Sequence, residues 1–458
     1  QGKREVRLMG DNFQGLLGNA DFDHRAFLDE LAEDGINFVA CWLIWPIRQN
    51  RDGRNGDSDR WGTDYPVPNL LPWPRRDRPA AEATSPGAGV AAAQATGPAR
   101  TQPSVPDAFD GYAKYDLSRF DERFWDKTRD LCQYARKKGI YVQLTLFDEC
   151  LLEPDVRGYA PGWNWHPFNA INGGPLTGPN GFEAYNVRNE RMMDIERAYV
   201  EKVIAETSRF DNVLYELCNE GSTKSVEWNR YWVEFISQRC DNPIGVNANY
   251  TPNDWSDVAA CDYLTYHTPF HNGYDAQQNY AIFARNRDKR KPIIIDEANP
   301  EYNGDMPGVS PDEFRPCLWV AFMAGGHCAL QDDSPCEYGS KTTKYRNGQP
   351  GRKQIGYLLK FASRLRLSDF RPADDIIVKG PQVCHAMAAR GEWVVYAFGR
   401  PLRFALRLPV GEYRSVYYSP RTGKFGAQVD WTVRGGSLVI DPPTRDPDVA
   451  VYLRRIGS

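Results

Sequence analysis

At 458 residues the chain exceeds the size at which one hydrophobic core stops growing, so more than one domain is expected. Hydrophobic residues make up 41% and charged residues 25%, as in ordinary globular proteins, and the formal net charge is −4 with no long basic run. That balance argues against nucleic acid or an anionic membrane as the main partner, and no apolar stretch approaches the ~20 residues of a bilayer span.

The first 370 residues repeat one unit: a short apolar run, a loop, then an amphipathic segment. Residues 6–13 predict strand one, and the helix behind it places Phe27, Leu28, Leu31 and Ala32 on one face. Residues 36–45 predict strand two, whose helix follows only after a long interruption. Strands three and four are expected at 140–147 and 212–220, each with a helix after it. PIGVNANY, DYLTYHT, KPIIIDEA and GGHCALQ supply strands five to eight. Runs this continuously apolar suit parallel strands covered on both faces. Eight successive βα units predict a (β/α)8 TIM barrel of class α/β over residues 1–370. A doubly wound sheet is the alternative, but no glycine-rich phosphate loop follows strand one.

Two stretches break the repeat. Residues 46–116 far exceed the usual ~2–6 residue βα loop and form an insertion at the barrel's C-terminal face. Its middle, from Arg75 to Pro106, is rich in Ala, Pro, Gly and Thr and reads as mobile or disordered; Arg51, Arg54 and Arg60 within it read as solvated charges. It is a lid, a substrate-binding wall or a tolerated excursion. Beyond Phe370 the helical period ends and short strands recur: DIIV, EWVVYAF, RFALRLP, YRSVYYS, GSLVI and VAVYLRR. They predict a small all-β sandwich at 371–458.

The 13 Trp, 24 Tyr and 21 Phe fit either buried packing or platforms for flat sugar faces. Ten cysteines include no CxxC and no zinc-type spacing; Cys41, Cys218 and Cys328 sit in apolar runs and read as buried thiols. The chain begins with Gln1, for which a removed signal peptide, and so a secreted or periplasmic protein, is the expectation.

Chemistry concentrates at strand ends. Asn219-Glu220 closes strand four and Asp296-Glu297 closes strand seven, so both glutamates can face one pocket at the barrel mouth. Two carboxyl groups about 5 Å apart are what glycosidic hydrolysis with retention requires: one protonates the leaving oxygen, the other attacks the anomeric carbon. Helix capping is the structural alternative for each. Such a mechanism calls for no metal or organic cofactor.

Asn-Glu on strand four with Glu on strand seven resembles the clan of retaining (β/α)8 glycosidases that includes glycoside hydrolase family 5. The order of barrel and sandwich, with the stretch FRPADDIIV…EWVVYAFG…LPVGEYRSVYYSPRTGKF, is similar to family 140-like, apiosidase-type proteins. Their C-terminal domain carries a collagen-binding label, but no zinc motif or collagenase site is present here. The resemblance implies Glu220 as acid/base, Glu297 as nucleophile and Asn219 as a hydrogen-bond partner of the sugar 2-hydroxyl. For its part Glu220 has to hold a proton near neutral pH, which a negative neighbour and partial burial favour.

The resemblance implies an aromatic residue or His at the end of strand six that orients the nucleophile; His267 and Tyr266 compete for that role, and strand alternation lets only one face the pocket. Pro269 between His267 and His271, with no Glu, argues against a zinc pair. Trp42 and Trp45, ending strand two, are sugar platforms or core. Asp148 and Glu149 end strand three, and Gln331, Asp332 and Asp333 end strand eight, where the clan often places a Trp; these grip hydroxyls or cap helices. The expected partner is an oligo- or polysaccharide, cleaved by double displacement, and the resemblance to the clan implies a β-type linkage. Inversion, transglycosylation and a carbohydrate-binding protein on a vestigial barrel are the competing readings. A peptidase lacks any HExxH motif or nucleophile elbow. The sandwich is expected to brace the barrel, since Trp393, Tyr417 and Trp431 suit packing.

Overall fold

A computed structural model of the protein describes residues 5–18, 20, 22–46, 70–77, 107–154, 162–221, 225–248, 258–268, 276–298, 311–331 and 350–456. Eight parallel strands close into a barrel in chain order: β1 (Met9–Asn12), β2 (Phe38–Trp42), β3 (Tyr141–Asp148), β4 (Val213–Asn219), β5 (Ile244–Asn247), β6 (Tyr263–His267), β7 (Ile293–Ala298) and β8 (His327–Gln331). Closure pairs β8 with β1, Gln331 opposite Asn12. Alternate residues fill the lumen, among them Phe38, Ala40, Trp42, Leu214, Tyr263 and Ile294. Their neighbours Val39, Cys41, Val213, Tyr215, Ile293 and Ile295 join the core beneath the helices. Burial on both faces is why each run is apolar throughout.

The helices are α1 (His24–Glu33), α2 (Glu122–Lys138), α3 (Gly162–Trp165), α4 (Glu190–Thr207), α5 (Val226–Ser237), α6 (Ala276–Arg285), α7 (Pro311–Met323) and α8 (Pro350–Ala362). α1 starts at Asp23, whose carboxylate accepts from the N–H groups of Arg25 and Ala26. α2 starts likewise at Asp121 and ends through Arg136, Lys137 and Lys138 at left-handed Gly139, φ 73°. α8 meets the end of α1 backbone to backbone, since a Cβ on Gly356 would lie 1.7 Å from the Asp34 carbonyl oxygen.

The edges of the 46–116 insertion are not loose. Leu70 donates its N–H to the Gly18 carbonyl at 2.8 Å, and buried Trp73 packs on Phe168 and Tyr199. Arg75, expected to open a mobile stretch, instead bridges to Tyr115 and ion-pairs with Asp110. Buried Leu70, Leu71 and Trp73 hold residues 70–77 in place; residues 78–106, the rest of the stretch expected to be mobile, lie outside the described residues. Arg51, Arg54 and Arg60 lie outside the described residues.

The C-terminal part is two antiparallel sheets. Six strands run in the order β15 (Lys424–Val433), β14 (Gly411–Ser419), β17 (Asp448–Ile456), β12 (Glu392–Phe398), β11 (Val383–Ala389), β9 (Arg371–Pro372). Three more run β10 (Ile377–Lys379), β13 (Phe404–Arg407), β16 (Ser437–Ile440). β11 and β15 were not predicted: VCHAMAA is rich in weak strand formers, and β15 is an edge strand with mostly exposed side chains.

The larger sheet is covered on both sides. Trp393, Val395 and Ala397 point into the sandwich, while Val394 and Tyr396 join the barrel's own core. Trp319 of α7 stacks on Tyr396 at 5.1 Å and 11°. Trp393 and Tyr417 pack within the sandwich core, with Trp431 against it.

Candidate active site

The C-terminal ends of β3, β4, β5, β6 and β7 meet at His267, whose side chain is wholly buried. Its Nδ1 lies 3.3 Å from Glu297 Oε2 and 3.5 Å from Glu220 Oε1. The two carboxyl oxygens are therefore within about 7 Å of each other, a bound that includes the ~5 Å separation needed for covalent double displacement. Both glutamates are mostly shielded, with side chains 11% and 6% exposed.

Glu220 is held in the left-handed backbone region, φ 49°. A non-glycine residue pays roughly 1–3 kcal/mol there, and such strain gathers where a side chain has to be aimed. Glu297 reaches the mouth by a different device. Strict alternation would send Asp296 and Glu297 to opposite faces, but the β6–β7 pairing shifts register between Tyr266 and His267, and the β7–β8 pairing between Ile295 and Ala298. The irregularity lets Asp296 stay in the lumen while Glu297 turns to the mouth.

Asn219 links the two sides: its Nδ2 donates to Asp148 Oδ2 at 3.2 Å, and its Oδ1 lies 3.1 Å from His267 Nε2. Asp148 also accepts from the Trp42 indole at 3.0 Å and the Cys150 N–H at 2.9 Å. Burial first, then the charge of Glu220, push the Asp148 carboxyl well above the usual carboxylate range. Glu149 is turned aside, taking the hydroxyl of Ser225 at the start of α5.

Below the pair lies a polar layer. Gln143 donates to Asp296 at 2.9 Å and to Glu216 at 3.3 Å, and the Thr145 hydroxyl donates to Glu216 at 2.7 Å. Asp296, fully buried, has its carboxyl pushed well up by burial and then by Glu216. Asp296 Oδ1 is 3.9 Å from His267 Nε2.

Of the residues proposed from sequence, Glu220, Glu297, Asn219, His267, Asp148 and Trp42 therefore form one contiguous network. Tyr266 does not join it: its hydroxyl donates to Asn286 Oδ1 behind the barrel at 3.2 Å, because alternation gives the mouth to His267. Trp45 packs edge-on against Trp42, 6.4 Å between ring centres, and both rings are buried. Gln331 ends β8 beside Asn12; His271, Asp332 and Asp333 lie outside the described residues.

Sequence reasoning missed two residues. Gln14, two positions beyond β1, donates to Glu297 Oε1 at 3.2 Å. Asn247, ending β5, has Nδ2 3.0 Å from His267 Nε2. The rule that found the glutamates, polar residues at strand ends, also covers both, but their neutral amides carried no chemical signal.

Residues 99–244, which span β3 and β4 with Asp148, Asn219 and Glu220, match a family described as Domain of unknown function (DUF6298). A comparison with curated proteins gives no match. Among solved structures, the chain is similar to a protein described as a glycoside hydrolase, at 12% identity and TM-score 0.64, covering 98% of this chain and 93% of that one. It is also similar to a glycoside hydrolase family 5 protein from Bacteroides vulgatus ATCC 8482, at 11% identity and TM-score 0.63, covering 98% and 89%. At such identities the likeness is one of fold, and it extends over barrel and sandwich together.

Proposed function

We propose that the protein is a glycoside hydrolase that cleaves a β-type linkage in a plant or microbial glycan by double displacement. Glu297 is the nucleophile and Glu220 the acid/base. The observation that carries the reading is the convergence of these two carboxyls, from β4 and β7, on one imidazole nitrogen. The fold shared with glycoside hydrolases, one of them of family 5, supports the class. The resemblance of barrel plus sandwich to family 140-like proteins suggests the finer placement, and a secreted or periplasmic site of action suits such a substrate.

In the first step Glu297, ionised and held by the Gln14 amide, attacks the anomeric carbon while Glu220 gives its proton to the departing oxygen. In the second, Glu220 takes a proton from water, which releases the sugar from Glu297. Asn219 and His267 fix the two carboxyls relative to each other, so little reorganisation is left for the transition state.

The test is a screen of aryl glycosides and plant or bacterial glycans with wild type, Glu220→Ala and Glu297→Ala. Sugar released by wild type alone, with the anomeric configuration kept in proton NMR, is the expected result. Activity that survives Glu297→Ala refutes the mechanism; an inverted product refutes the covalent step.

A further inference from the structure

We propose that Asp148 is a positioning residue that, through Asn219, locks a proton on Nε2 of His267, leaving Nδ1 as the nitrogen that gains and loses its proton beside Glu220 and Glu297. The consequence for catalysis rests on the glycosidase reading; the protonation pattern itself does not.

The argument begins with two groups that can only donate. The Trp42 indole N–H points at Asp148 Oδ2, and the Cys150 peptide N–H points at Oδ1. Asp148 must therefore present an oxygen on each side, which a carboxyl group does and a side-chain amide does not. Oδ2 also receives Asn219 Nδ2 at 3.2 Å, and that contact sets which way the Asn219 amide faces. Its oxygen is left 3.1 Å from His267 Nε2. An amide oxygen only accepts, so the nitrogen opposite it has to carry hydrogen.

Asn247 stands 3.0 Å from the same Nε2. A half-turn of its amide exchanges oxygen for nitrogen, so it can accept from that N–H as well. The opposite arrangement leaves Nε2 bare. Two amide N–H groups would then crowd one lone pair, and Asn219 would turn its oxygen towards Asp148 Oδ2, which the Trp42 N–H already holds as an acceptor.

Among the described residues, charged groups face the imidazole from β4 and β7. β4 supplies Glu220, and β7 supplies Glu297 and, at 3.9 Å from Nε2, Asp296. Glu216 lies beyond Asp296, reached through Gln143. With Nε2 locked, the imidazole changes charge only at the end that meets the catalytic pair. Bare, Nδ1 accepts from a protonated Glu220; protonated, it donates to either carboxylate. The same locking of a tautomer by a buried carboxylate is a general way to make one imidazole nitrogen the working one.

The experiment is a side-chain proton–nitrogen NMR correlation on the full chain with labelled histidine, His267 being assigned from its loss in His267→Gln. At a pH where His267 is neutral, wild type is expected to show a protonated Nε2 and a bare Nδ1. Asp148→Asn must set an NH2 against either Trp42 or Cys150, which frees Asn219. It is expected to mix the tautomers and to lower kcat about tenfold or more with little change in KM. Trp42→Phe, which keeps the Asp148–Asn219 contact, is expected to retain the wild-type pattern, and Asn219→Leu to lose it. A neutral His267 protonated on Nδ1 in wild type overturns the proposal even if no variant folds. So does a folded Asp148→Asn with the pattern unchanged. Absence of hydrolysis by wild type would strike the glycosidase reading and leave the tautomer result standing.

Discussion

The docking of sandwich on barrel is open to a direct energetic test at Arg315 of α7 and Asp448 of β17. Both side chains are wholly buried, and they meet in a fork: Nε to Oδ2 at 2.7 Å and Nη2 to Oδ1 at 3.1 Å. The Tyr396 hydroxyl donates to the same Oδ2 at 3.0 Å, and Arg315 Nη1 reaches Asp312, half exposed, at 2.7 Å. Asp448→Asn keeps the shape and removes the charge. It leaves the guanidinium in a dry interface with, among the described residues, Asp312 alone to balance it. Breaking a buried pair in this way costs about 3–5 kcal/mol, whereas replacing both members by apolar groups is often close to neutral. Arg315→Met with Asp448→Leu should therefore lose much less than the two single changes added together. Urea unfolding followed by circular dichroism and by Trp fluorescence reads both quantities, and in Asp448→Asn the two signals should separate as the sandwich lets go first. A single-variant cost below about 1 kcal/mol, with the double equal to the sum, would refute the reasoning.

Other expectations follow from single residues. Glu220→Gly relieves the left-handed backbone strain, so the variant should be more stable by about 1 kcal/mol in chemical denaturation while hydrolysis is lost; a less stable variant would contradict the strain. Gln14→Leu removes the amide that donates to Glu297, the proposed nucleophile, and on that reading should cost about 1.5–3 kcal/mol of transition-state stabilisation, seen as a roughly ten- to hundredfold fall in kcat/KM. Tyr266→Phe should leave kcat and KM unchanged and cost about 1 kcal/mol of stability, since its hydroxyl donates to Asn286 behind the barrel. Glu196, buried under the Trp228 and Trp232 indoles, has its carboxyl pushed well above 4.5 by burial. Below about pH 4.5 folded and unfolded chains both hold that proton; as pH rises, the unfolded chain gives it up first and stability falls. Glu196→Gln escapes this, so its melting temperature relative to wild type should climb between pH 4 and pH 8. A Gln variant less stable at pH 8 would show that the charged form is the native one.

The barrel was legible because its cause is local and repeated. A strand buried on both faces has to be apolar throughout, and a helix over it has to be apolar on one side, so eight such units declare themselves. Strand ends carry the barrel's mouth; that rule brought Glu220, Glu297 and Asp148 forward, and the resemblance to the clan added roles for Asn219 and His267. EWVVYAF carried a further clue: a run that continuous belongs to a strand covered twice, as Val394 and Tyr396 are by the barrel helices. Other features depended on neighbours distant in sequence. The register shifts that turn Glu297 to the mouth arise between β6, β7 and β8, the anchoring of Arg75 needs Asp110 and Tyr115, and Gln14 matters only because β1 closes near β7. Composition and period report what one segment needs from its surroundings. Which side chains finally meet, and which nitrogen of His267 carries a proton, depends on how closure of the barrel aligns the strand ends.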